Sequence, residues 1–237
     1  MSAHNPVEQS LRGKGDNLAS VLPWLQKYTP GKRWLPLRLY GVFKRVLDIV
    51  LVVGTMPLWL PLMGLIALAI KLDDPEGPVF FVQQRTGKGG ERFPMLKFRT
   101  MVVNAEEMKA ELAHLNELEW PDFKITNDPR VTRVGRILRR TSLDELPQLI
   151  NVLRGEMTLV GPRPTSFSAE TYDLWHTERL DVSPGLTGLW QILGRGETEF
   201  DERLRMDIAY IERRCLRLDM EILLRTVLAV FQQKGAF

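Results

Sequence analysis

Ile49 to Ile70 reads IVLVVGTMPLWLPLMGLIALAI, 22 residues without a single charge. As a helix this run measures ~33 Å, close to the hydrocarbon thickness of a bilayer. It starts too late for a secretory signal peptide, and no small-residue cleavage site follows it. A core helix apolar all round needs a large protein to cover it. The run is therefore read as membrane-inserted. Its middle carries a defect: Pro57 and Pro61 lie four apart, with Gly54 and Gly64 outside them. Pro61 cannot donate to the carbonyl of Pro57, and its ring crowds that oxygen, so the helix is expected to kink or break there. Lys44 and Arg45 precede the run and Lys71 follows it. Positive residues favour the cytoplasmic side, and here both flanks carry them. A hairpin entering and leaving by one face satisfies both flanks. The spacing also allows a spanning helix with a proline kink.

On the N-terminal side the charge is lopsided. Residues 1–45 hold eight Lys/Arg against two Asp/Glu, whereas the rest of the chain is slightly acidic within an overall balance of +3. Such a basic arm suits nucleic acid or an anionic membrane surface. The adjoining apolar run decides for the membrane and against nucleic acid. Trp24, Trp34 and Tyr40 among the basic groups suit an interfacial anchor. The division expected is a basic arm over 1–42, a membrane helix over 43–71 and a catalytic body over 72–237. Across 237 residues there is one cysteine, Cys215, and three scattered histidines. A disulfide scaffold is thereby excluded, and the scattered histidines speak against a Cys/His zinc site. No fixed repeat period occurs.

On the C-terminal side the chain reads as an α/β body. Asp73 to Pro78 is a turn leading into the strand Val79–Val82, and a second turn over Arg85–Gly90 leads into a partner strand over 92–101. Asn104 with Glu107 makes a capping box for a helix running toward Leu118. Residues 131–153 read as helical, with Pro147 starting a new helix. Two helices over 201–213 and 217–233 close the chain. In the last, Leu218, Ile222, Val227, Leu228 and Phe231 recur at helical intervals, which fits either a core-packing or an in-plane interfacial helix.

Familiar phosphate loops are missing: no G-x-x-x-x-G-K-[ST], no G-x-G-x-x-G after a strand and no Asp-x-Asp pair. What remains is carboxylate chemistry beside arginines. Arg130, Arg133, Arg136, Arg139 and Arg140 recur every three or four residues, and Asp144-Glu145 follows, then Pro147 and the loop Gly161-Pro162-Arg163-Pro164. Converging guanidinium groups hold a diphosphate, and a carboxylate in their field stays ionised, ligates Mg²⁺ and can attack phosphorus. A solvated basic helix face with Asp144 and Glu145 as its ion-pair partners fits the same spacing.

Ser142-Leu143-Asp144-Glu145-Leu146-Pro147-Gln148-Leu149, then Asn151 to Gly155 and Val160-Gly161-Pro162-Arg163-Pro164, resembles the bacterial sugar transferases, monotopic phosphoglycosyl transferases acting on polyprenol phosphate. Phe43-Lys44-Arg45 with Asp48, Arg85 with Gly87, and Lys97 to Met101 match further blocks. So do Asp128-Pro129-Arg130, Pro184 to Gly188 and Gly194-Arg195. The blocks run in order from about residue 43 to 233.

The resemblance implies an α+β monotopic membrane enzyme. Its parts are a re-entrant, proline-broken N-terminal helix, a small strand hairpin and several amphipathic helices at the membrane surface. The expected setting is the cytoplasmic face of the bacterial inner membrane. Asp144 would be the nucleophile, attacking the β-phosphorus of a UDP-sugar and expelling UMP. Undecaprenyl phosphate would then take the sugar 1-phosphate from the aspartyl ester. Glu145 matches the acidic partner, and Asp144 and Glu145 are the expected Mg²⁺ ligands. Arg139 and Arg163, the latter between Pro162 and Pro164, match phosphate-facing positions, ahead of Arg130, Arg133 and Arg136. Arg85, Lys97, Arg99 and Arg195 match motif positions of the substrate site. Pro61 falls at the proline of the family's helix break, with Leu60 in place of its serine and Pro57 and Thr55 as local compensation. The sugar is not identified, and oligomeric state is open, with a homodimer the candidate. The competing reading from another class is a catalytically silent membrane-anchored scaffold of polysaccharide export.

Overall fold

The computed structural model describes residues 22–30, 35–117, 125–168, 170, 174–192 and 200–231. The apolar run lies in one helix, α1, Leu37–Asp73, ~54 Å long at the usual rise. It therefore begins six residues before the expected boundary at 43, inside the expected arm. Among the described residues it is the one helix long and apolar enough to cross a membrane, with mean hydropathy 2.2 and only 22% of its most apolar window buried. Val52, Trp59, Met63, Ile66 and Ile70 form a buried stripe along it, spaced as one helix face requires. Leu58, Leu60, Leu65 and Leu68 stand exposed on the other faces.

Pro57 and Pro61 both lie inside α1, so the expected break is not an end of the helix. The turn before Pro57 is where the ring pushes the ladder open. There Thr55 Oγ1 donates to the carbonyls of Leu51 and Val52, at 2.7 and 3.3 Å. The Trp59 indole reaches back seven residues to the Val52 carbonyl, at 2.9 Å. Side-chain donors thus add to the cover of carbonyls in the turn before Pro57, where apolar surroundings favour it. Trp59, not a serine, is the second donor.

Both ends of α1 are fastened to the same body. At the N-terminal end the Arg45 guanidinium donates to the carbonyls of Val152 and Leu153. Asp48, 4% exposed, accepts from the Thr158 hydroxyl and the Leu159 amide. Tyr40 and Lys44 both donate to Asp219 Oδ2, at 2.9 and 3.0 Å. At the C-terminal end Asp73 accepts from the Val134 amide, and Arg99 pairs with Asp74 at 2.6 Å.

The body has two small sheets. Strands β1, Phe80–Thr86, and β2, Arg92–Phe98, pair antiparallel with Phe80 opposite Phe98 and Thr86 opposite Arg92. Helix α2, Arg133–Thr141, is capped by Thr132, whose side chain accepts from the Gly135 amide. A 3₁₀ turn over Leu143–Glu145 separates it from α3, Gln148–Arg154, with Pro147 at the N-cap as expected. Strands β3, Thr158–Val160, and β4, Gly185–Thr187, then pair in parallel. They approach so closely that a Cβ on Gly185 would sit 2.1 Å from the Gly161 amide. The chain ends in α4, Phe200–Arg213, and α5, Leu216–Phe231.

Several expectations change. The capping box at Asn104 and Glu107 does not form: one helical turn, Met108–Glu111, follows with no side-chain cap. Strand β2 stops at Phe98 rather than reaching Met101. Tyr40 is not an interfacial anchor, being buried on Asp219; Trp24, half-buried, lies against the Arg225 guanidinium at 4.1 Å, and Trp34 lies outside the described residues. The two readings of α5 divide its length. Leu218 and Ile222 are fully buried in the core, whereas Leu224, Val227 and Leu228 are 64%, 53% and 59% exposed.

Candidate active site

Asp144 and Glu145 sit in the 3₁₀ turn between α2 and α3. The turn is set by Ser142, whose left-handed backbone (φ 58°) ends α2 and redirects the chain. The residue is not glycine, so the conformation costs ~1 kcal/mol or more. Glu145, 7% exposed, is gripped from two elements. Arg163, from the loop after β3, lays both terminal nitrogens on its two carboxylate oxygens. Lys97, from β2, donates to Oε1 at 3.1 Å. Such a two-pronged guanidinium contact fixes direction as well as charge.

Asn151 makes this meeting possible, and the sequence marked it only as part of a motif. It is fully buried, accepts from the Leu96 amide at 3.0 Å and donates to the Pro94 carbonyl at 2.8 Å. It thereby bolts α3 to β2 one residue from Lys97. Trp190 was also missed. The guanidinium groups of Arg163 and Arg203 lie 6.0 and 5.5 Å from its ring, within cation–π range. A tryptophan in a loop-rich stretch gives no periodic signal that singles it out.

Asp144 lies in the field of Lys97, Glu145, Arg163 and Arg139. Burial pushes its carboxyl above the usual aspartate range, Glu145 adds to this, and the three cations pull against it. Burial lowers Lys97, with Glu145 opposing. For Arg163 burial acts against the charge, yet Glu145 and Asp144 hold its proton more tightly than usual. Arg139, at the end of α2, is fixed by its Nε on the Thr100 hydroxyl at 2.9 Å.

The other expected residues separate into groups. Arg85 is near, bonded to Gln83 and to the Pro164 carbonyl. Arg99 is not in the site: it leaves the end of β2 and pairs with Asp74 below α1. Arg130 is buried on Asp128, while Arg133 and Arg136 are exposed. Arg195 lies outside the described residues. Both oxygens of Glu145 are engaged, and among the described residues no side chain donates to Asp144. Of the two expected metal ligands, Asp144 is therefore the less engaged. No group of three metal-ligating side chains occurs among the described residues. Mg²⁺ commonly takes one or two carboxylates, completing its shell with substrate phosphates and water. The donor set fits that pattern rather than an all-protein cage.

Beside this turn opens a groove of about 390 Å³ between α1, α3 and α5. Leu51, Leu149, Leu223 and Val227 line it, together with Ser142 and Glu145 of the turn.

The model of the bacterial sugar transferase family matches residues 39–233. The chain is 44% identical to the UDP-glucose:undecaprenyl-phosphate glucose-1-phosphate transferase of Caulobacter vibrioides, over 98% of this chain and 86% of that protein. It is 40% identical to the exopolysaccharide production protein ExoY of Rhizobium meliloti, over 83% of this chain and 89% of that one. The undecaprenyl-phosphate galactose phosphotransferase of Salmonella typhimurium is 44% identical over 82% of this chain. There the chain spans only 41% of the relative's length. Asp144, Glu145 and Arg163 thus meet inside a match that runs through nearly the whole body, and the chain belongs to the bacterial sugar transferase family.

Proposed function

We propose that this chain transfers sugar 1-phosphate from a UDP-sugar to undecaprenyl phosphate through an aspartyl ester on Asp144. A carboxylate oxygen of Asp144 attacks the β-phosphorus, a new O–P bond forms, and the bond to the bridging oxygen breaks. UMP leaves with that oxygen. A phosphate oxygen of the polyprenol then attacks the same phosphorus and returns the electron pair to Asp144, giving the polyprenyl diphosphate sugar. Splitting the transfer lets two bulky phosphates use one site in turn.

The observation that carries the reading is the adjacency of two unlike surfaces. Lys97, Arg139 and Arg163 outweigh Asp144 and Glu145 by one positive charge, against two negative charges on a sugar nucleotide's diphosphate. The apolar groove at Glu145 suits an isoprenoid chain whose phosphate must reach the same point. Lys97 and Arg163 would orient the diphosphate, and burial of the turn limits access of water to the ester. Mg²⁺, held by Asp144 with phosphate oxygens, would supply the remaining charge neutralisation. The silent scaffold is disfavoured, because relatives matched over most of this chain are named as transferases.

The anchoring of α1 bears on the membrane arrangement. With Arg45 and Asp73 both bonded to the one body, a re-entrant path with both ends at the cytoplasmic face of the inner membrane is the reading supported. Impermeant labelling of cysteines placed at Ser20 and Glu76 in a Cys215→Ser background tests it. Both should be protected in intact cells, and labelling of position 20 alone overturns it. The reaction is tested by UMP release from UDP-glucose, UDP-galactose and their N-acetylated forms with undecaprenyl phosphate. No release from any of them refutes the proposed reaction.

A further inference from the structure

The loop Pro162–Thr165 is held by its carbonyls. That of Pro162 accepts from the Gly185 amide at 2.8 Å, and that of Thr165 from the Thr86 amide at 2.9 Å. The Pro164 carbonyl faces Arg85 at 3.4 Å. The Arg163 carbonyl accepts from Nη2 of Arg179, in the 3₁₀ segment Leu174–Asp181. That same nitrogen donates to Asp207 Oδ2 at 2.8 Å. Arg179 is 7% exposed and Asp207, on α4, is 2% exposed. Prolines on both sides of Arg163 lack N–H groups, so they offer no ladder of their own to fix the loop.

Stability alone does not explain this pair, since well-packed apolar residues often replace a buried ion pair without loss. What apolar residues cannot do is donate to the Arg163 carbonyl. We propose that Arg179 and Asp207 are positioning residues for Arg163: Arg179 fixes its backbone so that the guanidinium lies along Glu145 and the diphosphate, and Asp207 fixes Arg179. This rests on the reading of Arg163 as a phosphate ligand. The described charged groups facing Asp207 are Arg179 and Arg203, one turn earlier on α4, and both hold it toward the ionised form against burial.

The decisive variant is the apolar pair Arg179→Met with Asp207→Leu, in the full chain. Its thermal midpoint should stay near wild type while kcat/KM for UMP release falls by ~10- to 100-fold, as displacement of a positioning group does. With Arg163→Ala already present, the same pair should cost less than ~3-fold, because groups acting through one another are not additive. Full activity of the paired variant overturns the proposal, and so do additive losses. Amide hydrogen exchange at Arg163 and Thr165, measured without substrate, should rise in the paired variant, and unchanged exchange there also overturns it. That measurement stands even if wild type releases no UMP, which would instead refute the reading of the reaction. Should the paired variant fail to fold, Asp207→Asn and its Arg163→Ala combination are read by the same criteria.

Discussion

Residues 130–140 carry five arginines in eleven positions, whereas residues 161–181 carry two. In the dense stretch helical geometry spreads the charges around α2. Arg133, Arg136 and Arg140 face solvent, Arg130 is buried on Asp128, and only Arg139 enters the field of Asp144. In the sparse stretch both arginines are engaged: Arg163 on Glu145, and Arg179 on Asp207 and the Arg163 carbonyl. A phosphate site thus depends on guanidinium groups whose direction is fixed by a partner and by a stiff backbone. Local density of charge is a poor guide to it.

The largest expected effect tests what both regions serve. Asp144→Asn is near-isosteric and leaves the cations in place, yet should reduce UMP release by ~10⁴-fold or more, as loss of a nucleophile does. Incubating wild type with UDP-sugar alone should leave a phosphosugar adduct on Asp144, seen by intact-protein mass spectrometry. Activity within tenfold of wild type in Asp144→Asn would mean that the cations converge on a different centre.

The contrast itself is sharpened by paired substitutions. Arg163→Lys keeps the charge but loses the two-pronged grip on Glu145, and should cost ~10²-fold in kcat/KM. Arg136→Lys, on the solvated face of α2, should stay within ~2-fold. Equal losses would erase the distinction between the two stretches.

A third outcome concerns pH. Burial pushes the Asp207 carboxyl up to about 6, against the pull of Arg179 and Arg203. Its folded value is thus above the ordinary aspartate range near 4. The ionised form is the costly one in the folded state. The stability that Asp207 contributes by protonating is therefore present at low pH and lost as pH rises through about 6. Relative to Asp207→Asn, wild type should gain thermal midpoint when buffer is moved from pH 7.5 to pH 5. An opposite sign would show that Arg179 stabilises the charge more than burial disfavours it.

Much of this molecule is legible in the chain, for reasons that differ by region. The long apolar helix announces itself because 22 uncharged residues have few other homes. Its start is hidden, because Lys44, Arg45 and Asp48 look like a polar flank but pair with the body. Asp144, Glu145 and Arg163 are legible through a resemblance carried by ordered blocks, whereas the spacing of arginines alone leaves a solvated face open. Arg99 misleads for a local reason. Two residues from Lys97, it would share a strand face with it, but β2 ends at Phe98 and the chain turns toward Asp74. The pairing of β3 with β4 is illegible, since three-residue strands brought together across 24 intervening residues carry no period. Arg179 and Asp207 stay hidden because their meaning lies in one carbonyl contact.

Ser142 joins the arginine-rich helix to the carboxylate turn, ending the one and opening the other, and it should give the smallest effect. Its φ of 58° is glycine territory, at the position after a helix where glycine is favoured. Ser142→Gly should therefore stabilise by ~1 kcal/mol and raise the thermal midpoint by ~2–4 °C in a chain of this size. Ser142→Val, branched at Cβ, should lower it by more than that. If the turn's geometry is all that Ser142 supplies, UMP release by Ser142→Gly stays within ~2-fold, since glycine adopts the same backbone without strain. A tenfold loss with a raised midpoint would assign the hydroxyl of Ser142, which lines the apolar groove, a contact with the acceptor's phosphate.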